Sequence, residues 1–457
     1  MSQFSRYAKF GVLPWLCLAP FQYGFAISEL NQLQKAVSCK GSALGDYGFP
    51  LCVPMDDTAF SLVTSAFLVG GLTASLFANR LTDPYGRKMT VQISAVFSGV
   101  GSALLATALS VTMLVIGRFM IGVGAGLALC VIPPFLSEIS PPKIRGAVGI
   151  LNQLSVVIGI LVTQVLGFFC ARPGSWRKVF IFSTVLAVLQ VLFGARMIES
   201  PAWLAAHNKK PEARSVSAKL WVRDDGEGLP SGRGLYDDDD VEEALLRQTE
   251  PLPNQDQPPA TIGQCFRTPE LRRPLFIVSL AMLAQQLSGI NAVMYYSTGI
   301  LSKALPDAAS YVSLGVTVVN VIMTFPPIFV LERYGQRKIL QYSVGGSIIS
   351  LLILGLALNY NVTVAAAIGT LVFVSCFAFG LGPIPFIIIP DVSPLYAVSA
   401  LSSIALSLNW LVNFIVGLTF LPLRNFLAGS DGEWAGNVFF LFTLLLIISS
   451  ISFFRHF

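Results

Sequence analysis

Twelve long apolar runs set the strictest limit on what this chain can fold into. Each run is about twenty residues long, roughly the thickness of a bilayer core divided by the rise of an α-helix. Only 12% of the residues are charged, against about 25% in soluble domains. We therefore expect an all-α membrane protein with twelve transmembrane helices. The runs are 9–29, 58–78, 89–109, 112–136, 146–169, 177–198, 274–300, 308–331, 338–358, 363–389, 399–422 and 436–454.

The charged residues are concentrated in one segment, because 199–273 holds 14 acidic and 10 basic side chains. We expect an N-terminal six-helix domain (1–198), a linker region (199–272) with a short amphipathic helix over 209–222, and a C-terminal six-helix domain (273–457). Short loops on the side of both termini carry 11 Lys and Arg, against 7 on the other side. Both termini and the linker are therefore expected in the cytoplasm. A net charge of +5 with the bases at run ends indicates no nucleic-acid partner.

Two sequence markers recur at nearly the same offset. An acidic residue followed by a Gly-x-Arg-Lys type of turn follows the second run and again the eighth, and Gly86 and Gly335 of these turns are 249 residues apart. Glu138 and Asp391, after the fourth and tenth runs, are 253 residues apart. Two independent markers with similar offsets indicate a duplication, hence two pseudo-symmetric six-helix halves. Each turn glycine permits a positive φ.

The seventh run contains a polar stretch that lipid cannot solvate. Gln285, Gln286, Ser288 and Asn291 are uncharged hydrogen-bonding residues within seven positions. Such groups are costly when they face hydrocarbon unpaired, so they must face protein, water or a polar ligand. Contacts between helices normally need only one or two of them. Four favour an uncharged, polyhydroxylated ligand.

The sequence indicates neither an enzyme nor a metal site. It has no nucleophile–base pair, phosphate loop or cluster of metal ligands, so no cofactor is expected, and its two histidines, His207 and His456, are peripheral. Seven cysteines are too few for a disulfide scaffold. Cys39 and Cys52 both fall in the first external loop, where the compartment permits a disulfide. The sequence leaves open whether these two are bonded.

Motifs along the whole chain occur in a characteristic order. They are Gly117-Arg118-Phe119, Pro133, Glu138-Ile139-Ser140-Pro141, Arg145-Gly146, Gln153-Leu154, Ile198-Glu199-Ser200-Pro201, the 285–296 stretch, Glu332-Arg333-Tyr334-Gly335 and Gly382-Pro383-Ile384-Pro385. Together they resemble the sugar porter family of the major facilitator superfamily, of the glucose-transporter type. The resemblance implies two six-helix domains joined by a cytoplasmic helical region, with a sugar between the halves near the membrane midplane.

The resemblance also implies which residues bind and enclose the sugar. Carboxamides offer donors and acceptors to sugar hydroxyls, and an indole offers an apolar face to the ring. By motif position, the implied contacts are Gln153, Gln285, Gln286, Asn291, Asn320, Trp410 and Asn413, with Phe386 standing where the family has Trp. Tyr295 and Tyr296 match aromatic residues that close the site from outside. Gly382, Pro383 and Pro385 are expected to break the tenth helix and let it bend.

A gate of cytoplasmic ion pairs is implied as well, but it departs from the family pattern. Ala202, Val398 and Pro84 stand where the family has basic residues, so we expect a weakened gate. Glu138 is expected to pair with Arg145, and Glu332 with Arg333 or Arg337. The implied gate residues are Arg87, Glu138, Arg145, Glu199, Glu332, Arg333 and Arg337.

Coupling to protons depends on the first run. Proton-coupled members that resemble this chain carry an Asp where Ala26 stands, whereas its usual partner, Arg118, is retained. A guanidinium does not lose its proton in proteins, so Arg118 must pair with Glu29, carbonyls or water. We expect no carboxylate switch beside Arg118, and an interfacial or packing role for Glu29. A proton carrier displaced to Glu29 is the alternative.

These features predict a facilitative transporter of glucose or a related hexose. The alternatives are a proton–sugar symporter and a sugar sensor that does not transport. The expected partners are a monosaccharide and membrane lipid, and the protein is expected to be a monomer. The plasma membrane is favoured, with a vacuolar or other internal membrane as the alternative.

Overall fold

The computed structural model describes residues 2–30, 33–39, 50–141, 144–170, 172–223, 260–291, 293, 309–360, 362–428, 434 and 436–457, which are almost entirely helical. Eleven of these helices are long and apolar enough to cross a membrane. They account for eleven of the twelve predicted runs. The remaining run, 274–300, contains a helix over Pro269–Leu287 and lies partly outside the described residues. The predicted all-α membrane fold is confirmed.

The first six runs form the helices of the first half. Asp56 and Ser110 cap two of them by accepting hydrogen bonds from the backbone N–H groups of Ala59 and Met113. The elements are β1 (Ser2–Phe4), a π-helical turn (Ala8–Val12), α1 (Leu13–Ser28), α2 (Gln34–Val37), β2 (Ser38–Cys39), β3 (Val53–Pro54), α3 (Asp57–Tyr85), α4 (Arg87–Ala106), α5 (Val111–Ile139), α6 (Arg145–Cys170) and α7 (Arg177–Gly194).

Glycines let α1 and α6 pack closely. Gly24 lies against the carbonyl of Val156, and Gly159 lies against the carbonyl of Phe21, so a side chain at either glycine would collide with backbone. Small residues at such contacts let transmembrane helices approach each other. The first half is therefore a tightly packed unit.

A disulfide joins Cys39 to Cys52. It links β2 to the residue just before β3, and the two short strands pair in parallel with Ser38 opposite Val53. The pairing that the sequence left open is therefore present in the structure.

The linker is held against the first half as far as Arg223. It contains α8 (Pro201–Ala206), α9 (Lys210–Leu220) and β4 (Trp221–Arg223). The predicted amphipathic helix is thus present, although its last two predicted residues form a strand. That strand pairs antiparallel with β1, with Phe4 opposite Trp221, and the Trp221 indole donates to the carbonyl of Ile139 at 2.9 Å. Residues 224–259 lie outside the described part.

The second half repeats the arrangement, with an interrupted tenth span. Proline cannot donate the hydrogen bond of a regular helix, and Pro383 and Pro385 follow the interruption, as predicted. The elements are α10 (Ile262–Arg267), α11 (Pro269–Leu287), α12 (Ala309–Thr324), α13 (Pro326–Tyr334), α14 (Gln336–Asn359), α15 (Thr363–Cys376), a π-helical turn (Phe377–Leu381), α16 (Ile384–Val392), a 3₁₀ turn (Leu395–Ala397), α17 (Val398–Leu427) and α18 (Asn437–His456).

The two halves meet through α3 against α17 and through α6 against α12. Gly86 and Gly335 make the tight turns before α4 and α14, with φ of 90° and 76°, as the repeated motif predicted. We call the end of the bundle that holds these two glycines the turn end. There the side chain of Ser399 in α17 lies near that of Asp83 in α3, so the halves approach each other at the turn end.

Candidate functional site

The side chain of Gln285 connects three helices. Its Nε2 donates to the carbonyls of Leu381 and Gly382 at 3.0 and 2.9 Å, and its Oε1 accepts from Asn409 Nδ2 at 2.8 Å. In a regular helix the carbonyl of Leu381 would accept from the N–H four residues later, but that residue is Pro385. The Gln285 amide thus takes the place of the missing donor. It joins α11 to the interrupted span and to α17.

Other predicted carboxamides lie near this junction or pair with one another. A Cβ on Gly382 would be 3.3 Å from Gln153 Nε2, so Gln153 of the first half reaches the same interruption. Gln286 Oε1 accepts from Asn291 Nδ2 at 2.5 Å. Asn320 and Asn413 are buried, and in the described part of the chain their side-chain oxygens have no hydrogen-bond partner. Buried acceptors of this kind are costly unless a ligand or water reaches them.

Trp410 is buried between the two halves. It is 1% exposed, and its ring meets Tyr23 and Phe67 edge-on at centroid distances of 5.6 and 5.5 Å. Phe386 is also buried and lies in a small cleft nearer the turn end, with Arg145 and Asp391. Tyr295 and Tyr296, the predicted outer closure, lie outside the described residues.

Asn409 is a site residue that the sequence analysis missed. It is 3% exposed and donates to Gln285. The signal was present, because Asn409 and Asn413 are four residues apart and share one helical face. The bonding partner was not foreseeable, since the interruption of the tenth span decides where the Gln285 amide points.

A buried ion pair lies in the first half beside the aromatic residues. Arg118 Nη1 donates to Glu29 Oε1 and to the carbonyl of Ala26, both at 2.8 Å. Its guanidinium also lies 4.6 Å from the centre of the Phe67 ring. Two of the three kinds of partner expected for Arg118, Glu29 and a carbonyl, are therefore present, and a carboxylate does lie beside the guanidinium. Glu29, at 1% exposure, is not interfacial, because one turn of helix from Ala26 brings its carboxylate back to the guanidinium.

The gate of the first half is built around the buried Glu138 and the half-buried Glu199. Arg87 Nη2 donates to Glu138 Oε1 at 3.0 Å, and Ser200 Oγ donates to the same carboxylate. Glu199 accepts from the backbone N–H groups of Arg87 and Lys88 at 2.9 and 3.1 Å, at the positive end of the α4 dipole. Burial raises the pKa of the Glu199 carboxyl, and hydrogen bonds from Ser200 and Lys88 oppose the rise. These contacts leave the first half of the gate intact despite Ala202.

The expected pair of Glu138 with Arg145 is wrong. In the described structure Glu138 bonds to Arg87 and Ser200, whereas Arg145 lies in the cleft with Asp391 and attracts its carboxylate. The reason is geometric. Arg87 is the first residue of α4 and lies beside the end of α5, so its guanidinium, and not that of Arg145, pairs with Glu138. Arg145 thus faces the other half.

The second half of the gate is not charged in the same way. Gln336 follows Gly335 as Arg87 follows Gly86, and Asp391 corresponds to Glu138. Gln336 Nε2 donates to Asp391 Oδ2 at 2.6 Å, so a neutral amide stands where the first half has a guanidinium. Arg333 lies over the Tyr334 ring and Arg337 donates to the carbonyl of Phe454. The side chain of Glu332 lies outside the described part, and its pairing stays a prediction.

Comparison with known proteins gives consistent matches along the chain. The family model described as "Sugar (and other) transporter" matches residues 16–457. Human solute carrier family 2, facilitated glucose transporter member 3, is 32% identical over 443 residues, covering 94% of this chain and 85% of that protein. The "Probable metabolite transport protein" of Saccharomyces cerevisiae is 30% identical over 447 residues, covering 94% and 88%. The proton:xylose symporter XylE of E. coli, bound to 6-bromo-6-deoxy-D-glucose, has a TM-score of 0.79 at 19% identity, covering 98% of this chain and 95% of that one.

Proposed function

Because the chain belongs to the sugar transporter family of the major facilitator superfamily, whose members are membrane transporters and not enzymes, we propose that it carries a hexose down its concentration gradient by alternating access. The human relative is named as a facilitated glucose transporter, which supports glucose or a closely related hexose as the substrate. The proposed units are the six-helix domains 1–198 and 273–457, joined by the linker 199–272.

The carboxamide cluster around the interrupted tenth span carries this proposal. Gln285, Asn409 and Gln153 present uncharged donors and acceptors beside the carbonyls of Leu381 and Gly382, which accept from the Gln285 side chain. Neutral sugar hydroxyls can replace these partners one for one, since each hydroxyl both donates and accepts. A charged solute would find no opposite charge among these groups. The remaining proposed contacts are Gln286, Asn291, Asn320, Trp410, Asn413 and Phe386.

The same contacts suggest how binding moves the protein. When a sugar hydroxyl takes the Gln285 amide, the carbonyls of Leu381 and Gly382 lose their bond to α11. The interrupted span, with Pro383 and Pro385 beyond the break, is then free to bend. The α16 segment carries Asp391 to or from Arg145 at the turn end. Binding at the centre is thereby linked to the gate, which we place on the cytoplasmic side together with both termini.

A second candidate, proton–sugar symport, is favoured by one observation. Glu29 and Arg118 form a buried pair at 2.8 Å, beside the aromatic residues that contact Trp410. Protonation of Glu29 would remove its charge and release the guanidinium, which a conformational change could use. The solved structure of XylE is named as that of a proton:xylose symporter, and its likeness to this chain supports the fold only.

Counterflow in proteoliposomes tests both candidates. Purified protein should exchange labelled glucose against unlabelled glucose, and net flux at equal sugar concentrations should stay zero under an inward proton gradient. Sugar accumulation that follows the proton gradient and disappears in Glu29→Gln would replace uniport by symport. Absence of counterflow for every hexose and pentose tested, in protein that is folded and inserted, would overturn the proposed transport.

We further propose that the protein works as a monomer in contact with lipid. The plasma membrane is the favoured location, and a vacuolar or other internal membrane is the alternative. Fluorescence microscopy of a tagged chain together with protease protection of its termini tests the membrane and the orientation.

A further inference from the structure

The indole of Trp410 lies directly on Gly71 of the opposite half. A Cβ placed on Gly71 would be 2.6 Å from Trp410 Cε2 and 2.7 Å from both Cδ2 and Cζ2. All three of its nearest neighbours are therefore atoms of this one ring. No side chain other than hydrogen fits at position 71 while Trp410 stays in place.

The rest of the ring is enclosed by aromatic side chains of the first half. Tyr23 of α1 and Phe67 of α3 meet the indole edge-on, with interplanar angles of 73° and 74°. Gly71 follows Phe67 by four residues, so both lie on one face of α3. We call Gly71, Phe67 and Tyr23 the Trp410 seat. A residue of the second half thus fits into a recess of the first.

The seat and the turn end together fix how α3 lies along α17. Asp83 lies near Ser399 at the turn end. Gly71 meets Trp410 twelve residues earlier on α3 and eleven residues later on α17. On two antiparallel helices these steps are each roughly 17 Å at 1.5 Å per residue. Two contacts at matching heights define a single register between the halves.

We propose that Gly71 is a positioning residue for transport, whose lack of a side chain seats Trp410 in this conformation and lets it leave the seat when the halves rock. The inference rests on the proposed alternating-access function, because only a protein whose halves move needs a releasable contact there. The seat holds Trp410 by shape, so a small change at position 71 acts through the position of the indole, and Gly71 itself makes no contact with sugar.

The test compares two glycine-to-alanine variants. Gly71→Ala should expel the indole, whereas Gly417→Ala serves as the matched control, because a Cβ at Gly417 meets nothing within 4 Å. Protein labelled with 5-fluorotryptophan gives one ¹⁹F resonance for each tryptophan, and loss of a peak in Trp410→Phe assigns position 410. We expect a new Trp410 resonance in Gly71→Ala, an unchanged one in Gly417→Ala, and a transport rate on the order of tenfold lower in Gly71→Ala alone.

A double variant distinguishes seating from general packing. Since the atoms nearest to the added methyl group are all from Trp410, Gly71→Ala should have little further effect on thermal stability and transport once Trp410→Ala is present. An unchanged Trp410 resonance in Gly71→Ala, or equal losses from Gly71→Ala with and without Trp410, would overturn the inference. Failure of the wild-type protein to transport sugar would instead refute the proposed function, and the ¹⁹F spectra would still report on the seat.

Discussion

The carboxamide of Gln285 donates its N–H groups to two backbone carbonyls of the interrupted span, and that of Leu381 lacks its helical donor because Pro385 lies four residues later. Its oxygen holds the amide of Asn409 in addition. Every polar atom of one buried side chain is thus used to tie an interrupted helix to two neighbours. At the proposed site a sugar would compete with these bonds, so the proposal ties affinity and conformation to the same atoms.

We predict that Gln285→Ala weakens sugar binding by about 1–3 kcal/mol, roughly 10- to 100-fold, because it removes hydrogen bonds to the ligand and leaves the Leu381 carbonyl unpaired. The apparent KM for exchange, measured in proteoliposomes, checks this. Gln22→Ala is the matched control, since Gln22 is also buried but bonds to Gln190 within the first half. Equal transport kinetics in wild type and Gln285→Ala would contradict the site.

The sequence identified most of the carboxamides but not their partners. Polarity at membrane depth and motif position were sufficient to select Gln153, Gln285 and Asn413. Asn409 was not among the residues selected, although it is the neighbour of Trp410 in the chain. For Arg118 the sequence allowed Glu29, carbonyls or water as partners, and it could not decide among them, although one helical turn brings Glu29 back to the guanidinium. Such pairings depend on how helices rotate against each other, which periodicity alone does not fix.

At the scale of elements, the two gate turns have similar backbone conformations but carry different charges. Both turns use a glycine with positive φ, and both place the next residue against an acidic side chain at the end of a later helix. In the first half this residue is Arg87, and in the second it is Gln336. Among the described residues, Asp391 makes no ion pair with a base of its own turn, and Arg145 attracts its carboxylate across the interface.

We predict that Gln336→Arg loosens the contact between the halves at the turn end. The new guanidinium would neutralise Asp391 from within its own half and would repel Arg145. Hydrogen–deuterium exchange should become faster in peptides covering 133–145 and 386–399, with little change in Tm. The symmetric change, Arg87→Gln, should instead lower Tm, because a buried Glu138 without its cation costs about 3–5 kcal/mol. Identical exchange in wild type and Gln336→Arg would refute the proposed role of the neutral amide.

The disulfide between β2 and β3 gives a separate prediction. Cys39 and Cys52, thirteen residues apart, should resist alkylation until a reductant is added, and Cys52→Ser should lower Tm because the unfolded chain regains the freedom of the closed loop. Mass spectrometry of alkylated peptides checks the first statement. Cys17 and Cys170, which are free, serve as internal controls. Alkylation of Cys39 and Cys52 without reductant, in protein from an oxidising compartment, would disprove the bond.

At the scale of the whole molecule, the fold followed directly from the sequence, whereas the fit between the halves did not. Run length predicted the spans, and the two repeated markers predicted the duplication. The contact of α3 with α17 depends on the indole of Trp410 meeting Gly71, which lies 339 positions earlier in the chain. No motif around either residue predicts this contact. Long-range steric fit of this kind requires coordinates.

Coupling is also a property of the whole molecule, and Ala26→Asp tests it. The new carboxylate would share Arg118 with Glu29, and two acids beside one guanidinium cannot both ionise freely. We expect the rate of sugar exchange to acquire a dependence on pH between about 5 and 8, whereas Ala26→Asn should leave the pH profile of the wild type unchanged. Exchange rates measured in proteoliposomes over this range decide the matter. A flat profile for Ala26→Asp would show that this region does not communicate with the sugar pathway.

The strand pair formed by Ser2–Phe4 and Trp221–Arg223 has a consequence for how the protein is made. The Ser2–Phe4 strand has no partner until about 220 further residues have been added, which takes on the order of 10–45 s at ordinary rates of synthesis. By then the six helices of the first half have all been translated. Pairing of the two strands, sealed by Trp221 on Ile139, therefore closes the first half as a finished unit before most of the second has emerged.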